Sequence, residues 1–167
     1  DTRALVYTGK NFKTDLTIVK TVVKSNENRK KMLTKRILTI LGNKFKNKQI
    51  TFLGVTFKPN TDDMREASSL YMIPYLVRKG VKVKYFDPSG KKDVFNNKNI
   101  EYCKNIRSAC FRSDLIIIHT EWNEFKFIDF KKIVKKNNFK IYDMRNIYDP
   151  KRMKLNKIRY FAVGRTI

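Results

Sequence analysis

Cysteine and histidine are scarce in this 167-residue chain, and their scarcity excludes several classes of protein. The two cysteines, Cys103 and Cys110, are too few for a disulfide framework, and with the lone His119 they do not make a zinc site. We therefore expect no metal role. Because disulfides accumulate in proteins of oxidising compartments, so low a cysteine content favours a reducing cytoplasm.

Long apolar runs are also missing, and we expect no signal peptide. No segment has the ~18 consecutive apolar residues that a membrane span needs, and the opening Asp-Thr-Arg does not resemble a signal peptide. Because the sequence starts without methionine, we expect a fragment or a processed product. With 41% hydrophobic residues, the chain is expected to form one globular domain, or one domain with an appendage.

Acidic residues are outnumbered: 15 Asp and Glu stand against 38 Lys and Arg, which gives a net charge of +23. Such a charge favours contact with phosphate polymers or anionic membranes. The lysines are nevertheless dispersed along the chain among asparagines and isoleucines, with no aromatic-basic motif. We therefore expect a solvated basic surface that attracts a small anionic substrate, and no nucleic acid or membrane partner.

The first 46 residues show helical periodicity and no strand pattern. Asp15 is predicted to cap the first apolar run, and Gly42 is predicted to end the second. The polar stretch 24–31 between them fits either a loop or the exposed middle of one long helix, since it contains no glycine or proline. An apolar stripe with little local core predicts an oligomer or a neighbouring domain.

From residue 47 the sequence alternates between strands and helices. The predicted strands are QITFLGVTF, VKVKYFDP, SDLIIIHT, FKIYDMRN and IRYFAVG, and the predicted helices are ASSLYMIPYLVRKG and DFKKIVKKN. The alternation predicts an α/β fold, a Rossmann-like and mostly parallel sheet flanked by helices. We place a helical segment at 1–46, partial and used for dimerisation, and the sheet domain at 47–167.

Three polar clusters follow predicted strands, at residues 58–69, 119–122 and 143–146. Because ligands of open α/β sheets bind beyond the carboxyl ends of the strands, Lys58, Arg65 and Arg145 are expected to converge on one rim. Converging cations beside a helix N-terminus suit a diphosphate. The alternative is structural: Asp62 and Asp63 cap the next helix and pair with Arg65.

A glycine-rich dinucleotide fingerprint is absent after the first predicted strand. The one glycine there, Gly54, is interpreted as lying inside the strand. This domain is therefore not expected to be the primary dinucleotide clamp.

The stretch FLGVTFKPNTDDMREASSLYMIPYL resembles the start of the C-terminal, UDP-binding domain of the UDP-glucose/GDP-mannose dehydrogenase family. The segments VKVKYFDP, SDLIIIHTEWNEF, IYDMRNIYDP and YFAVGR follow in the same order as in that family. DTRALVYTGKNF and VVKSNENRK resemble its central helix. The motifs are most similar to the branch of the family that oxidises UDP-glucose.

The resemblance implies an NAD-dependent oxidation of the sugar C6 alcohol to a carboxylate, through a cysteine thioester, with two NAD molecules. Asp1 matches a catalytic aspartate that assists proton transfer. Phe57, Lys58 and Arg145 match substrate-binding residues, and Arg65 matches an arginine that reaches NAD. The catalytic cysteine and the main NAD domain are expected upstream of Asp1, so the fragment is expected to be inactive alone.

The resemblance further implies a homodimer formed through the long helix, with UDP-glucose or UDP-glucuronate as ligand. Glu121 and Trp122 fit the family pattern and are interpreted as structural. Two alternatives stay open: a relative acting on UDP-N-acetylmannosamine or GDP-mannose, and a non-catalytic nucleotide-binding module.

Overall fold

The structure is a computed structural model that describes residues 2–165. Its helices are α1 (Thr2–Asn11), α2 (Thr17–Leu41), α3 (Ser69–Arg78), α4 (Ile106–Cys110), α5 (Phe130–Val134) and α6 (Pro150–Leu155). Its strands are β1 (Gln49–Leu53), β2 (Lys82–Phe86), β3 (Ile100–Tyr102), β4 (Leu115–Ile118), β5 (Lys140–Asp143) and β6 (Arg159–Ala162). Two 3-10 turns cover Asp93–Phe95 and Asn123–Phe127.

The six strands form one sheet in the order β3-β2-β1-β4-β5-β6, and every neighbouring pair is parallel. The predicted Rossmann-like α/β fold is thereby confirmed. The strand order reverses between β1 and β4, which is where an open α/β sheet forms a crevice at the carboxyl ends of its strands.

Helices cover both faces of the sheet. On one face, α2 and α3 pack over a core that includes Phe52, Met72 and Tyr142. On the other face, α4, α5 and α6 cover a second core that includes Ile116 and Phe130. The four residues of β4 are completely buried, which explains why this strand is a continuous apolar run rather than an alternating one.

Residues 24–31 belong to one uninterrupted helix, α2, so the long-helix alternative is correct and the loop alternative is wrong. Gly42 ends α2 as expected: its φ is 86° and its N–H donates to the carbonyls of Leu38 and Thr39. Asp15 does not cap the helix. Its carboxylate binds the side chains of Thr17 and Lys20 instead of free backbone N–H groups.

The last turns of α2 are part of the sheet core, because Ile37, Ile40 and Leu41 are buried in the same cluster as β1 and α3. The first turns leave apolar side chains in solvent, with Ile18 82% and Val22 43% exposed. The domain boundary near residue 46 therefore falls just after a helix that belongs in part to the sheet domain, and it stays a prediction.

Candidate functional site

The carboxyl ends of β1 and β4 meet at Gly54 and Thr120. Gly54 lies one residue beyond the end of β1, not inside the strand as the sequence suggested. Its φ is 77°, and a Cβ atom on it would lie 2.5 Å from the Cβ atom of Thr120. Only glycine permits this approach, and it lets the Thr120 hydroxyl donate to the Thr56 carbonyl at 2.8 Å.

A buried carboxylate holds the start of the loop that follows β1. Asp87 lies just after β2, and its Oδ2 atom accepts from the N–H groups of Val55 and Thr56 at 2.7 and 3.2 Å. Its Oδ1 atom accepts from the N–H and hydroxyl of Ser89. Backbone donors are strong partners for an ionised carboxylate, so Asp87 fixes where the loop leaves the sheet.

His119 is completely enclosed at the end of β4. Its Nε2 atom is 2.8 Å from the Ser68 hydroxyl, and its Nδ1 atom is 3.0 Å from that of Thr120. Burial, and then the nearby charge of Arg145, lower the pKa of His119 to about 3. The His119 ring is therefore neutral at physiological pH, and it contributes hydrogen bonds rather than charge.

Arg145 is placed by a second buried carboxylate. Asp143, the last residue of β5, accepts from the Arg145 N–H at 2.9 Å and also from Tyr148 and Tyr160. The Arg145 Nε donates to the His119 carbonyl at 2.7 Å and lies 2.9 Å from a carboxylate oxygen of Glu121. The guanidinium is therefore held across the ends of β4 and β5.

Four charged side chains form a ring that ties both N-terminal helices to the loop after β1. Arg3 of α1 pairs with Glu27 of α2 at 2.5 Å and with Glu66 of the loop at 3.1 Å. Lys30 of α2 pairs with the same two carboxylates at 3.1 and 3.4 Å. Each pair is partly exposed and weak alone, but a closed network holds its members in register.

Between these elements lies a cavity of about 580 Å³. Its walls are Thr2, Arg3, Val23, Asn26, Glu27, Arg29, Lys30, Leu33, Phe57, Glu66, Ser68, His119, Met144 and Arg145. The lining combines four basic and two acidic side chains with apolar and hydroxyl groups. The volume is in the range of small-molecule binding sites, and basic side chains outnumber acidic ones in the lining.

The structure brings Phe57 and Arg145 together on this cavity, and the Arg145 Nη2 atom is 3.5 Å from the Phe57 carbonyl. Lys58 follows Phe57 in the chain but does not line the cavity. Arg65 does not line it either: its side chain is 89% exposed and forms a bidentate pair with Asp63. That pairing lowers the pKa of Asp63 to about 2.

Two loop residues with left-handed backbones, Asn60 and Glu66, both with φ of 60°, set the direction of this loop. The ion pair between Arg65 and Asp63 is the structural alternative that the sequence left open. Asp1, the predicted catalytic residue, lies outside the described residues.

The sequence interpretation missed that α2 lines the cavity, with polar residues that include Asn26, Arg29 and Lys30. Their signal was the polar middle of an otherwise apolar helix. A polar stretch without glycine or proline in a helix indicates a face that is turned to solvent or to a ligand. The interpretation also missed that His119 lines the cavity.

No group of three possible metal-ligating side chains occurs among residues 2–165. Cys103 and Cys110 are buried, and burial raises the pKa of both thiols. Neither is therefore placed as a nucleophile. Within the same range, no helix is long and apolar enough to cross a bilayer.

Residues 51–150 match the model of the UDP binding domain of the UDP-glucose/GDP-mannose dehydrogenase family. The chain is 39% identical over 158 residues to a UDP-glucose 6-dehydrogenase of Rickettsia felis, covering 92% of this chain and 35% of that protein. It is 33% identical over 169 residues to a UDP-glucose 6-dehydrogenase of Rhizobium meliloti, covering 99% of this chain and 38% of that protein.

The fold is similar to the solved structure of a UDP-glucose dehydrogenase from Pyrobaculum islandicum, with a TM-score of 0.79 at 22% identity. The match covers 99% of this chain and 36% of that one. The chain therefore spans little more than a third of the length of the relatives it matches.

Proposed function

Because the chain belongs to the UDP-glucose/GDP-mannose dehydrogenase family and matches its UDP binding domain, we propose that its 580 Å³ cavity binds the UDP part of a nucleotide sugar. The observation that carries the proposal is the position of Arg145. A guanidinium held at the carboxyl ends of β4 and β5, beside Phe57, lies where an open α/β sheet takes its ligand.

The lining offers a group for each part of such a ligand. Arginine presents a planar fork that matches paired phosphate oxygens, and Arg145 is fixed through its Nε and its backbone N–H. Phe57 is half-exposed and supplies an apolar surface for a base or sugar ring. Ser68 and the neutral His119 supply hydrogen-bonding groups that carry no net charge.

We propose that the whole protein is a UDP-glucose 6-dehydrogenase that oxidises UDP-glucose to UDP-glucuronate with two NAD molecules through a cysteine thioester. Supporting this, curated relatives of that name are 33% and 39% identical over nearly all of the chain. Oxidation then depends on residues outside this sequence, because Cys103 and Cys110 are both buried. We expect no NAD reduction by the 167-residue chain alone.

The proposal gives further roles to three residues. Lys58, beside Phe57, adds positive charge near the nucleotide sugar without lining the cavity. Arg65, exposed on the same loop, reaches an NAD molecule held by residues outside this sequence. Asp1 assists proton transfer during the oxidation. The exposed apolar side chains of α2 support a homodimer formed through that helix.

Calorimetric titration of the chain with UDP tests the site. We expect saturable binding that weakens by about tenfold or more in both Arg145→Ala and Phe57→Ala, the loss expected when a charge-assisted bond or an aromatic contact is removed. The control is Arg65→Ala, which removes an equal charge outside the cavity and is expected to leave UDP affinity unchanged.

Absence of binding by the folded chain, or equal losses in all three variants, would contradict the site. Titration with GDP separates the alternative of a GDP-mannose enzyme: tighter binding of GDP than of UDP would favour that relative.

A further inference from the structure

A second cavity, of about 500 Å³, lies along β6, the last strand of the sheet. Its walls are Arg36, Pro150, Lys154, Lys157, Ile158, Arg159, Tyr160, Phe161 and Arg165. Phe161 belongs to the core under α2, whereas Tyr160 belongs to the core under α6. The cavity therefore follows the outer edge of β6, which pairs with β5 alone within residues 2–165.

Five of the nine lining residues are basic and none is acidic. Within the part of the chain that is described, none of these five has a carboxylate within 4.0 Å. The nearest candidate in sequence, Asp149, is used to cap α6 by accepting from the Lys151 N–H at 2.9 Å.

The first cavity differs in this respect, since Arg3, Lys30 and Arg145 there are each paired with a carboxylate. The cations at β6 thus lack the neutralising partners that the first cavity supplies. The positive field also reaches the neighbouring strand: burial and then the charges of Arg159 and Lys48 lower the pKa of Lys140.

Three of the five cations stand on separate helices or strands. Arg36 comes from the buried end of α2, where its guanidinium lies 5.4 Å from the ring centre of Tyr142. Lys154 belongs to the last turn of α6 and Arg159 to β6. Five charges of one sign around a common cavity give it a positive potential, which attracts anions.

We propose that this cavity binds a small anion that carries two or more phosphate groups, at a site separate from the one assigned to UDP. Three arginines and two lysines line it, and guanidinium forks match paired phosphate oxygens. The volume fits a small molecule. The inference does not depend on the nucleotide-sugar proposal, because the two cavities share no lining residue.

The test is a two-dimensional NMR titration of the 15N-labelled chain with pyrophosphate in the presence of saturating UDP. We expect the amide signals of residues 157–161 to shift in a saturable manner while the UDP-induced shifts near Arg145 persist. Displacement of UDP by pyrophosphate, without shifts at 157–161, would assign pyrophosphate to the first cavity and overturn the proposal. Because each cavity has its own set of signals, failure of either proposal is distinguishable from failure of the other.

Matched variants separate a built site from general surface charge. The double variant Lys154→Gln/Arg159→Gln is expected to bind pyrophosphate about tenfold more weakly or worse. The control, Lys91→Gln/Lys98→Gln, removes the same charge from exposed positions near the opposite edge of the sheet and is expected to change affinity less than about twofold. Equal losses in the two variants would show only the attraction of a basic surface and would overturn the proposal.

Two competing ligands complete the test. An oligoglutamate of matched charge and a short DNA duplex are each titrated against the pyrophosphate complex. Tighter binding of tripolyphosphate than of orthophosphate, with weak competition by both polymers, is the expected result. Displacement of pyrophosphate by oligoglutamate at a similar concentration would assign the second cavity to an acidic peptide. Displacement of pyrophosphate by the duplex would assign the cavity to nucleic acid. Either result would overturn the small-phosphate proposal.

Discussion

The Nε atom of Arg145 donates to the main-chain carbonyl of His119 at 2.7 Å, so the side chain after β5 is tied to the backbone that follows β4. We expect Arg145→Lys to lose about tenfold in UDP affinity although the charge is kept, because lysine has no planar fork with which to bind the carbonyl and a phosphate together. Calorimetry measures this. Arg65→Lys is the control. Full UDP affinity in Arg145→Lys would show that Arg145 contributes only its charge.

Arg29 is the one basic residue of the first cavity that has no carboxylate within 4.0 Å in the described part of the chain. We therefore expect Arg29 to bind the phosphates of the proposed nucleotide ligand. Arg29→Gln is expected to weaken UDP binding by about tenfold, the worth of a charge-assisted hydrogen bond. Lys24→Gln, at an exposed position of the same helix outside the cavity, is the control. An unchanged dissociation constant for Arg29→Gln would remove Arg29 from the site.

Gly54→Ala is expected to destabilise the fold by roughly 2–5 kcal/mol, since the new Cβ atom adds overpacking against Thr120 to the strain of a left-handed backbone. Gly90→Ala is the matched control: its φ is 93°, but no atom lies within 4 Å of the place where its Cβ atom would be. The control should cost only the backbone strain, about 1–2 kcal/mol. Urea unfolding measures both, and equal losses would show that the contact with Thr120 is unimportant.

His119 makes the stability of the fold depend on pH. Burial lowers its folded-state pKa to about 3, so between that value and the unfolded value near 6.5 the unfolded chain binds one more proton. Stability therefore falls as the solution is acidified, by about 2 kcal/mol between pH 7 and pH 5. His119 is the only histidine, so His119→Gln should flatten this slope in urea unfolding. The same slope in the variant would refute the assignment.

If the chain dimerises through α2, substitutions in the exposed apolar stripe of this helix should disrupt the dimer. Ile18 is 82% exposed, and Val22, one turn later, is also exposed. Ile18→Glu should convert a dimer to a monomer in sedimentation velocity, because it places a charge in an apolar contact. The control is Val94→Glu, an exposed valine on the 3-10 turn before β3. A wild-type monomer, or a dimer that survives Ile18→Glu, would contradict the proposal.

The parallel sheet could be predicted from the sequence because periodicity reports burial directly. The run Leu115–Ile118 is apolar throughout since both of its faces are covered. Arg145 could be placed at the ligand-binding rim because it follows the carboxyl end of a strand. Phe57 was assigned to the site only through the family resemblance. The short edge strand Ile100–Tyr102 escaped prediction, since three residues are too few to show a period. Periodicity also gives no information on the path that a loop takes between a strand and a helix.

The loop after β1 shows this limit. Its course depends on Glu66, whose φ is 60° although glutamate is not a typical residue for that conformation. The residue pattern left open whether Arg65 would pair with Asp63. It did not indicate that Lys58 would lie outside the cavity, or that Glu66 would join the ring with Arg3 and Lys30. The contribution of α2 to the cavity could not be predicted either, because the helical period does not show which polar side chains of the helix face a cavity.

Helix α2 connects the core of the sheet to the wall of the first cavity. Its 25 residues extend for about 37 Å at the standard rise per residue, with one end fixed under the sheet and the middle forming a wall of the cavity. A rigid rod amplifies motion at its fixed end, so a repacking of Ile37 that rotates the axis by a few degrees displaces Arg29 sideways. The position of the cavity wall that α2 forms is thus set partly by the hydrocarbon contacts of Ile37, Ile40 and Leu41 in the core.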